Sequence, residues 1–237
     1  MSLGTPHLHL RTTASTNDRA RGLATAGAPH GTLVTASMQT AGRGRQGRRW
    51  SAPTGALLMS VVLRQPGALL PLAAAVAVAR ACGDAARVKW PNDVLLDGRK
   101  VAGILAEGRP QEGWVVLGIG INVAVRPGDL PEDVRATATG LGLDPGDVPA
   151  VLARVLTELE AVLTLPREAL LDAWSARDAL RSQPVRWAGG TGIAEGVDAD
   201  GRLRVQTDAG MVALDAGEVH LRRRSPTVGG GAGAGAV

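Results

Sequence analysis

Only two lysines, Lys89 and Lys100, stand in a chain that carries twenty-four arginines, and its only asparagines are Asn17, Asn92 and Asn122. Phe and Tyr are absent. The scarce types share codons rich in A and T, so a GC-rich genome accounts for their rarity. A surface lysine drifts easily to arginine under that pressure. One that persists marks a place where a compact point charge serves and a planar fork does not. All five rare residues fall in segments that look chemical on other grounds.

Gly42-Arg43-Gly44-Arg45-Gln46-Gly47-Arg48-Arg49-Trp50 satisfies G-x-G-x-x-G after an apolar strand. Its context rules out a dinucleotide fold: Pro53 and Gly55 leave no helix after the last glycine, and no acidic residue lies about 20 positions on. Glycines admit close backbone approach and arginines bind phosphate in pairs of hydrogen bonds. The segment reads either as a loop that folds over a polyanion or as a basic surface loop that touches RNA. In Lys89-Trp90-Pro91-Asn92-Asp93 and the following Arg99-Lys100-Val101-Ala102-Gly103-Ile104-Leu105-Ala106-Glu107, alternation puts Lys100, Ala102 and Ile104 on one face of a strand. Gly103 then points the other way or marks a close backbone approach. Lys100 is either a working charge or an ordinary solvated lysine beside a turn. In Gly118-Ile119-Gly120-Ile121-Asn122-Val123, two glycines inside an apolar strand imply that something packs on its backbone. Asn122 either hydrogen-bonds a base edge or is a satisfied polar residue at a strand end.

The elements that must hold these segments follow from periodicity and punctuation. Asp18–Thr25 reads as a helix closed by Gly27, with Ser15, Thr16 or Asn17 as its cap. Residues 31–37, 56–63, 87–90 and 114–123 read as strands, and residues 94–96 and 100–107 as a hairpin across Asp97-Gly98. Helices are expected over 68–82, 148–164 and 167–179, with a long loop over 127–145. Past Ser182 short strands alternate with turns, which predicts a small all-β barrel. The expected fold class is α+β: a mixed β-sheet with helices packed on it, followed by that barrel. The glycine-rich end reads as a disordered tail.

The 237 residues hold 45% hydrophobic and 20% charged side chains, enough for a sizeable core. A net charge of +4 is compatible with an anionic ligand and does not by itself indicate nucleic acid. Cys82 is the one cysteine, so no intrachain disulfide forms. No signal peptide is legible before Leu10, and the apolar run 68–82 is too short to span a bilayer. These features predict a soluble cytoplasmic protein with no membrane partner.

Taken in order, Ser15-Thr16-Asn17, Gln39, GRGRQGRRW, KWPND with RKVAGILAE, and GIGINV resemble the biotin–protein ligases, the bacterial biotin–acetyl-CoA-carboxylase ligase family. The resemblance covers roughly residues 10–224, and KWPND with RKVAGIL is its most specific part. It implies a class II synthetase-like catalytic domain over 1–182, an SH3-like domain over 183–224 and a tail over 225–237. It also implies a two-step reaction: biotin and ATP give biotinyl-5′-AMP and pyrophosphate, then a lysine of a biotin carboxyl carrier protein takes the biotin. Lys100, with Arg45 and Lys89, carries catalysis in this reading. Ser15, Thr16, Asn17 and Gln39 would hold the ureido ring, with Gly103, Ile104, Gly118 and Trp90 around the bicycle. Gly42, Arg43, Gly44 and Arg45 would close over it. Arg48 and Lys89 would meet the ATP phosphates, Trp50 and Asn122 the adenine, and Asn92 also the nucleotide. Mg²⁺ would come with ATP, and no residue is assigned as a metal ligand.

Too few residues precede Ser15 to hold a DNA-binding winged helix, so no nucleic-acid partner is expected, and the chain should act as a monomer or homodimer. Two rivals remain. An RNA- or DNA-binding protein would use the arginine loop, but it lacks an aromatic stacking platform. A lipoate ligase would share the fold and the adenylation logic.

Overall fold

The computed structural model describes residues 2–109, 112–215, 217 and 219–221; the tail expected over 225–237 lies outside them. In chain order the elements are β1 (His7–Leu10), α1 (Thr16–Thr25), β2 (Leu33–Ala36), β3 (Ala56–Arg64), α2 (Leu70–Cys82), β4 (Arg87–Lys89), β5 (Asp93–Leu96), β6 (Arg99–Arg109) and β7 (Trp114–Asn122). They continue with α3 (Glu132–Arg135), α4 (Val148–Leu163), α5 (Arg167–Ser175), β8 (Pro184–Trp187), β9 (Gly190–Val197), β10 (Leu203–Thr207), β11 (Gly210–Leu214) and β12 (His220–Leu221). Strands β1 to β7 form one mixed sheet in the order β1-β2-β3-β7-β6-β5-β4, in which only β1 and β2 run parallel. The α+β architecture expected from the sequence is the one observed.

Alternation along β3 and β7 separates the two faces of this sheet. Leu57, Met59, Val61 and Leu63 join Leu117, Ile119 and Ile121 in the main core. Helix α2 lies in that core with ten of its thirteen residues buried, most of them alanine, which lets α4 approach closely. It opens with Pro71 in its first turn and ends at Gly83 with φ +110°, the usual asymmetry of helix ends. Helix α4 presents Val151, Val155, Leu159 and Val162 as one apolar stripe. The opposite face carries Ala56, Leu58, Ser60 and Val62 with Gly118, Gly120 and Asn122. Helix α1 covers part of it through Ala20 and Ala24, Val125, Leu130 and Ala138 pack on Ala56 and Leu58, and the part between them is open.

Several expectations needed correction. Helix α1 starts two residues earlier than its apolar pattern suggested. Ser15 is the cap, its Oγ accepting from the Asp18 N–H, so Thr16 and Asn17 sit in the first turn. Strand β1 was not foreseen; its four residues are too short a signal and gain their pairing only beside β2. The helix expected to reach Ala179 stops at Ser175, because the backbone of 177–179 is taken up by β4: Val88 N–H donates to Arg177 O and Ala179 N–H to Val88 O. The long loop over 127–145 contains α3 and a short 3-10 turn, and a second such turn, Pro145–Asp147, begins at its end. No helix among the described residues is long and apolar enough to cross a membrane.

One irregularity in β6 matters more than these boundaries. Val94 pairs with Ala102 but Leu95 pairs with Lys100, so Val101 is an extra residue, a β-bulge. Strict alternation would put Lys100 on the face of Ala102 and Ile104, which belong to the main core. The bulge gives Val101 to the core instead and turns Lys100 to the open face, beside Gly103.

Strands β8 to β12 form a second, antiparallel sheet in the order β11-β10-β9-β8-β12. Val185, Ala194, Leu203, Val205 and Val219 join the main core. Trp90 spans the two sheets, its Nε1–H donating to Gly201 O at 3.1 Å.

Asp178 lies at this junction. Its Oδ1 accepts from the Leu180 N–H, while its Oδ2 is buried without a partner among the described residues. Burial raises its carboxyl from 3.8 to about 6, against the smaller opposing effects of that hydrogen bond and Arg181. Between pH 4 and 6 the folded chain therefore keeps a proton that the unfolded chain has lost, so this residue's contribution to stability falls as pH rises through that window. Asp178→Asn should be the more stable protein at pH 7. The difference between the two melting temperatures should shrink as pH falls from 6 to 4, and thermal melts across that range check it.

Candidate active site

The open face of the large sheet becomes a cavity of about 990 Å³. One wall is the arginine-rich segment, which is a hairpin: Trp50 N–H donates to Gly42 O and Gly44 N–H to Arg48 O, with a 3-10 turn at Arg45–Gly47. Gly42 allows this closure, since a Cβ there would sit 2.4 Å from Trp50 O. The segment expected to close over a ligand is thus folded as a hairpin, and Arg43, Gly44, Arg45, Arg48 and Trp50 line the cavity, whereas Gly42 does not. A wall that sequence reading missed comes from Pro131 to Ala138. Residues 137–139 run beside Lys100, whose N–H donates to Thr137 O and whose carbonyl accepts from Thr139 N–H. His220 and Leu221 of β12 close another part.

The two glycines of β7 do make room, as their pattern implied. What occupies that room is protein. A Cβ on Gly118 would lie 2.0 Å from Asn17 Oδ1, and one on Gly120 would lie 2.5 Å from the Trp50 ring. Trp50 also covers Gly103. The indole therefore lies flat on two neighbouring strands, with Lys100 Nζ 5.6 Å from its centroid, within cation–π range.

At one end Ser15, Thr16, Asn17 and Gln39 gather around buried Ser60. Gln39 Oε1 accepts from the Thr16 N–H at 2.6 Å, and Asn17 Nδ2 donates to Glu107 Oε2 at 2.9 Å. In the middle Lys100 Nζ pairs with Asp93 Oδ1 at 2.6 Å. Lys89 and Asn92 line the same stretch, Asn92 Nδ2 donating to Ile104 O. Asn122 is 3% exposed; its Nδ2 donates to Thr139 O, and its Oδ1 is buried with no partner among the described residues. Such an acceptor is costly to leave unmade and suits a ligand N–H.

Two expected contacts are revised. Trp90 is 2% exposed and does not line the cavity; its indole is committed to the core and to Gly201. Ile104 borders the cavity, but strand alternation gives its side chain to the main core. The guanidinium of Arg43 is engaged by carboxylates, Asp18 Oδ1 at 2.7 Å and Glu107 Oε1 at 2.9 Å. Asp93 and Glu107 stood in the quoted motifs without a role, and Ser60 was not singled out. Ser60 had a signal, being the lone polar residue in Leu57–Leu63.

A cavity with a cluster of amides and hydroxyls at one end, an orphaned acceptor elsewhere and cations between suits an enzyme that brings a nucleotide and a second anionic ligand together. Residues 10–123 match the biotin/lipoate A/B protein ligase family, and residues 184–222 match the biotin protein ligase C-terminal domain. The chain is 39% identical to a biotin–[acetyl-CoA-carboxylase] ligase of Paracoccus denitrificans, over 89% of this chain and 98% of that protein. Its identity to the enzyme of the same name from Mycobacterium tuberculosis is 38%, over 89% and 87%. The biotin protein ligase of Aquifex aeolicus, solved with biotin and ATP, superposes with a TM-score of 0.79 at 29% identity, covering 93% of this chain and all of that one. The chain belongs to the biotin protein ligase family.

Gly118→Ala should lower the unfolding free energy by about 1–3 kcal/mol, the usual cost of overpacking, because the Asn17 amide must move. Gly22→Ala in α1, where a Cβ meets nothing within 4 Å, should instead gain up to about 1 kcal/mol. Urea unfolding of both variants checks the contrast.

Proposed function

We propose that this cavity activates biotin with ATP and passes it to a lysine of a biotin carboxyl carrier protein. The observation that carries the reading is the β-bulge at Val101, which spends one residue of β6 to aim Lys100 between the amide-rich end and the arginine hairpin. In the first step a carboxylate oxygen of biotin bonds to the α-phosphorus of ATP, and the bond from that phosphorus to the bridging oxygen breaks, releasing pyrophosphate. Two anions must meet, so the site's task is to supply positive charge and orientation. Lys100 holds the carboxylate and stabilises charge on the phosphoryl oxygens. Asp93 keeps the ammonium aimed before any ligand arrives. Arg45, Arg48 and Lys89 face the triphosphate, which enters with its Mg²⁺ as substrate.

Asn122 offers its unpaired Oδ1 to an amino group of the adenine, and the Trp50 face is available for the base. Thr16 and Gln39 receive the ureido ring, beside the Asn17 amide seated on Gly118. In the second step the uncharged amine of the acceptor lysine attacks the acyl carbon and AMP leaves. The hairpin over the cavity keeps water from the anhydride until then. A cytoplasmic setting agrees with the single, half-buried Cys82, whose thiol burial pushes up to about 12.

Purified protein with Mg²⁺ should show ATP–pyrophosphate exchange that requires biotin and ignores lipoate. Exchange driven by lipoate would move the assignment to the lipoate branch, and no exchange by saturated, folded protein would refute adenylation. Lys100→Arg should slow biotin-dependent exchange on the order of a hundredfold, the typical cost of losing one donor aimed at developing charge. A near-normal rate would show that any cation serves there.

A further inference from the structure

Hydrogen accounting at the polar end of the cavity points beyond the residues that touch a ligand. Asn17 Nδ2 faces two acceptors, Leu105 O and Glu107 Oε2, which fixes its amide: Oδ1 must point to Ser60. Ser60 Oγ lies 2.6 Å from that Oδ1 and 2.8 Å from Thr16 Oγ1, yet it carries one hydrogen. Asn17 Oδ1 only accepts, so the Ser60 hydrogen goes there. Thr16 Oγ1 has two neighbours that want its own hydrogen, Ser60 Oγ at 2.8 Å and Gln39 Oε1 at 3.1 Å. If it went to Gln39, two oxygens 2.8 Å apart would face each other without a hydrogen, at a fully buried serine that no ligand reaches. If it goes to Ser60, the unfilled pair is Thr16 Oγ1 and Gln39 Oε1, both on residues of the cavity wall, where a ligand can supply the missing donor. The second arrangement leaves no permanent cost in the dry interior.

We infer that Ser60 and Glu107 are positioning residues that set the polarity of the Thr16 hydroxyl, and that Glu107 ties this relay to the arginine hairpin. The relay runs from Thr16 O–H to Ser60 O–H to Asn17, and from the Asn17 amide to Glu107. The Glu107 carboxylate then spends its second oxygen on Arg43, with Arg21 3.2 Å away. Thr16 and Gln39 together thereby present a double acceptor that demands an N–H from the ligand. The residue that orients this socket also holds the hairpin. The inference rests on the proposed seating of the ureido ring at this end.

Two variants interrupt the relay in different places. Ser60→Ala removes the donor to Asn17 Oδ1 and frees the Thr16 hydrogen to turn to Gln39. Glu107→Gln has one acceptor oxygen where the carboxylate has two, so it can satisfy Asn17 or Arg43 but not both. Biotin is compared in pyrophosphate exchange with an analogue in which oxygen replaces one ureido N–H. Wild type should strongly prefer biotin. In Ser60→Ala the KM for biotin should rise about tenfold, the scale of one hydrogen bond. The preference over the analogue should narrow by a similar factor, and the KM for ATP should stay within about twofold. Glu107→Gln should show the same split and should lose biotin's protection of the Arg43–Arg49 hairpin against trypsin. Because both changes cut one relay, the double variant should be little worse than Ser60→Ala alone.

Losses that multiply, equal rises in both KM values, or an unchanged preference for biotin would each overturn the inference. Should Ser60→Ala fail to fold, Glu107→Gln, a change at a partly exposed side chain, decides alone. Wild-type protein without biotin-dependent exchange would refute the function itself, which no outcome among the variants can do.

Discussion

Three adjoining positions on the open face of the large sheet, Gly103, Gly118 and Gly120, carry no side chain, and the depth of the site rests on that. A methyl group at Gly118 would collide with Asn17, and methyl groups at Gly103 or Gly120 with Trp50. Removing three Cβ atoms from neighbouring strands lets an amide and an indole lie against the backbone. The cavity floor is therefore made of the sheet and of two side chains seated in it. Everything that faces a ligand is built above this floor, from the buried serine and asparagine at one end to Lys100 and Asn122.

The second constraint is electrostatic. Lys100 has a carboxylate within 2.6 Å, and Arg43 has two within 2.9 Å. A site that must gather two anions could hardly keep bare cations in a half-enclosed, low-dielectric space without cost. Local carboxylates solve this in two ways. Asp93 shares its cation with the reaction space, so a ligand can compete for it. Asp18 and Glu107 use theirs to fasten a loop. A lysine and an arginine that line one cavity thus have different tasks, decided by which acidic side chains the fold brings near them.

Much of this was legible in the sequence, and the residues explain why some was not. The rarity of lysine and asparagine singled out Asn17, Lys89, Asn92, Lys100 and Asn122, all of which line the cavity. Rarity is a signal read from composition alone, independently of fold. Periodicity found the helices and most strands, since apolar faces repeat over many residues. It failed at β1, where four residues carry too little pattern, and at 176–179, where pairing with β4 overrides helix propensity. The face of Lys100 was placed beside Ala102 and Ile104, because a period of two knows nothing of a bulge. The contact expected of Trp90 failed for a related reason. A motif identifies neighbours in sequence, and a tryptophan next to a working lysine can still turn its ring into the core. Ser60 and Glu107 act through other side chains, and only distances reveal such roles.

The cavity borrows residues from almost the whole chain, beginning at Ser15 and ending with His220 and Leu221 of the last described strand. Chains are synthesised from the N-terminus, and domains tend to fold in that order as they emerge. The large sheet, the arginine hairpin and the relay can all be in place while β12 is still inside the ribosome. The cavity then lacks part of one wall. A growing chain of this design passes through a stage with the groups at the amide-rich end in place and the wall that β12 supplies still missing.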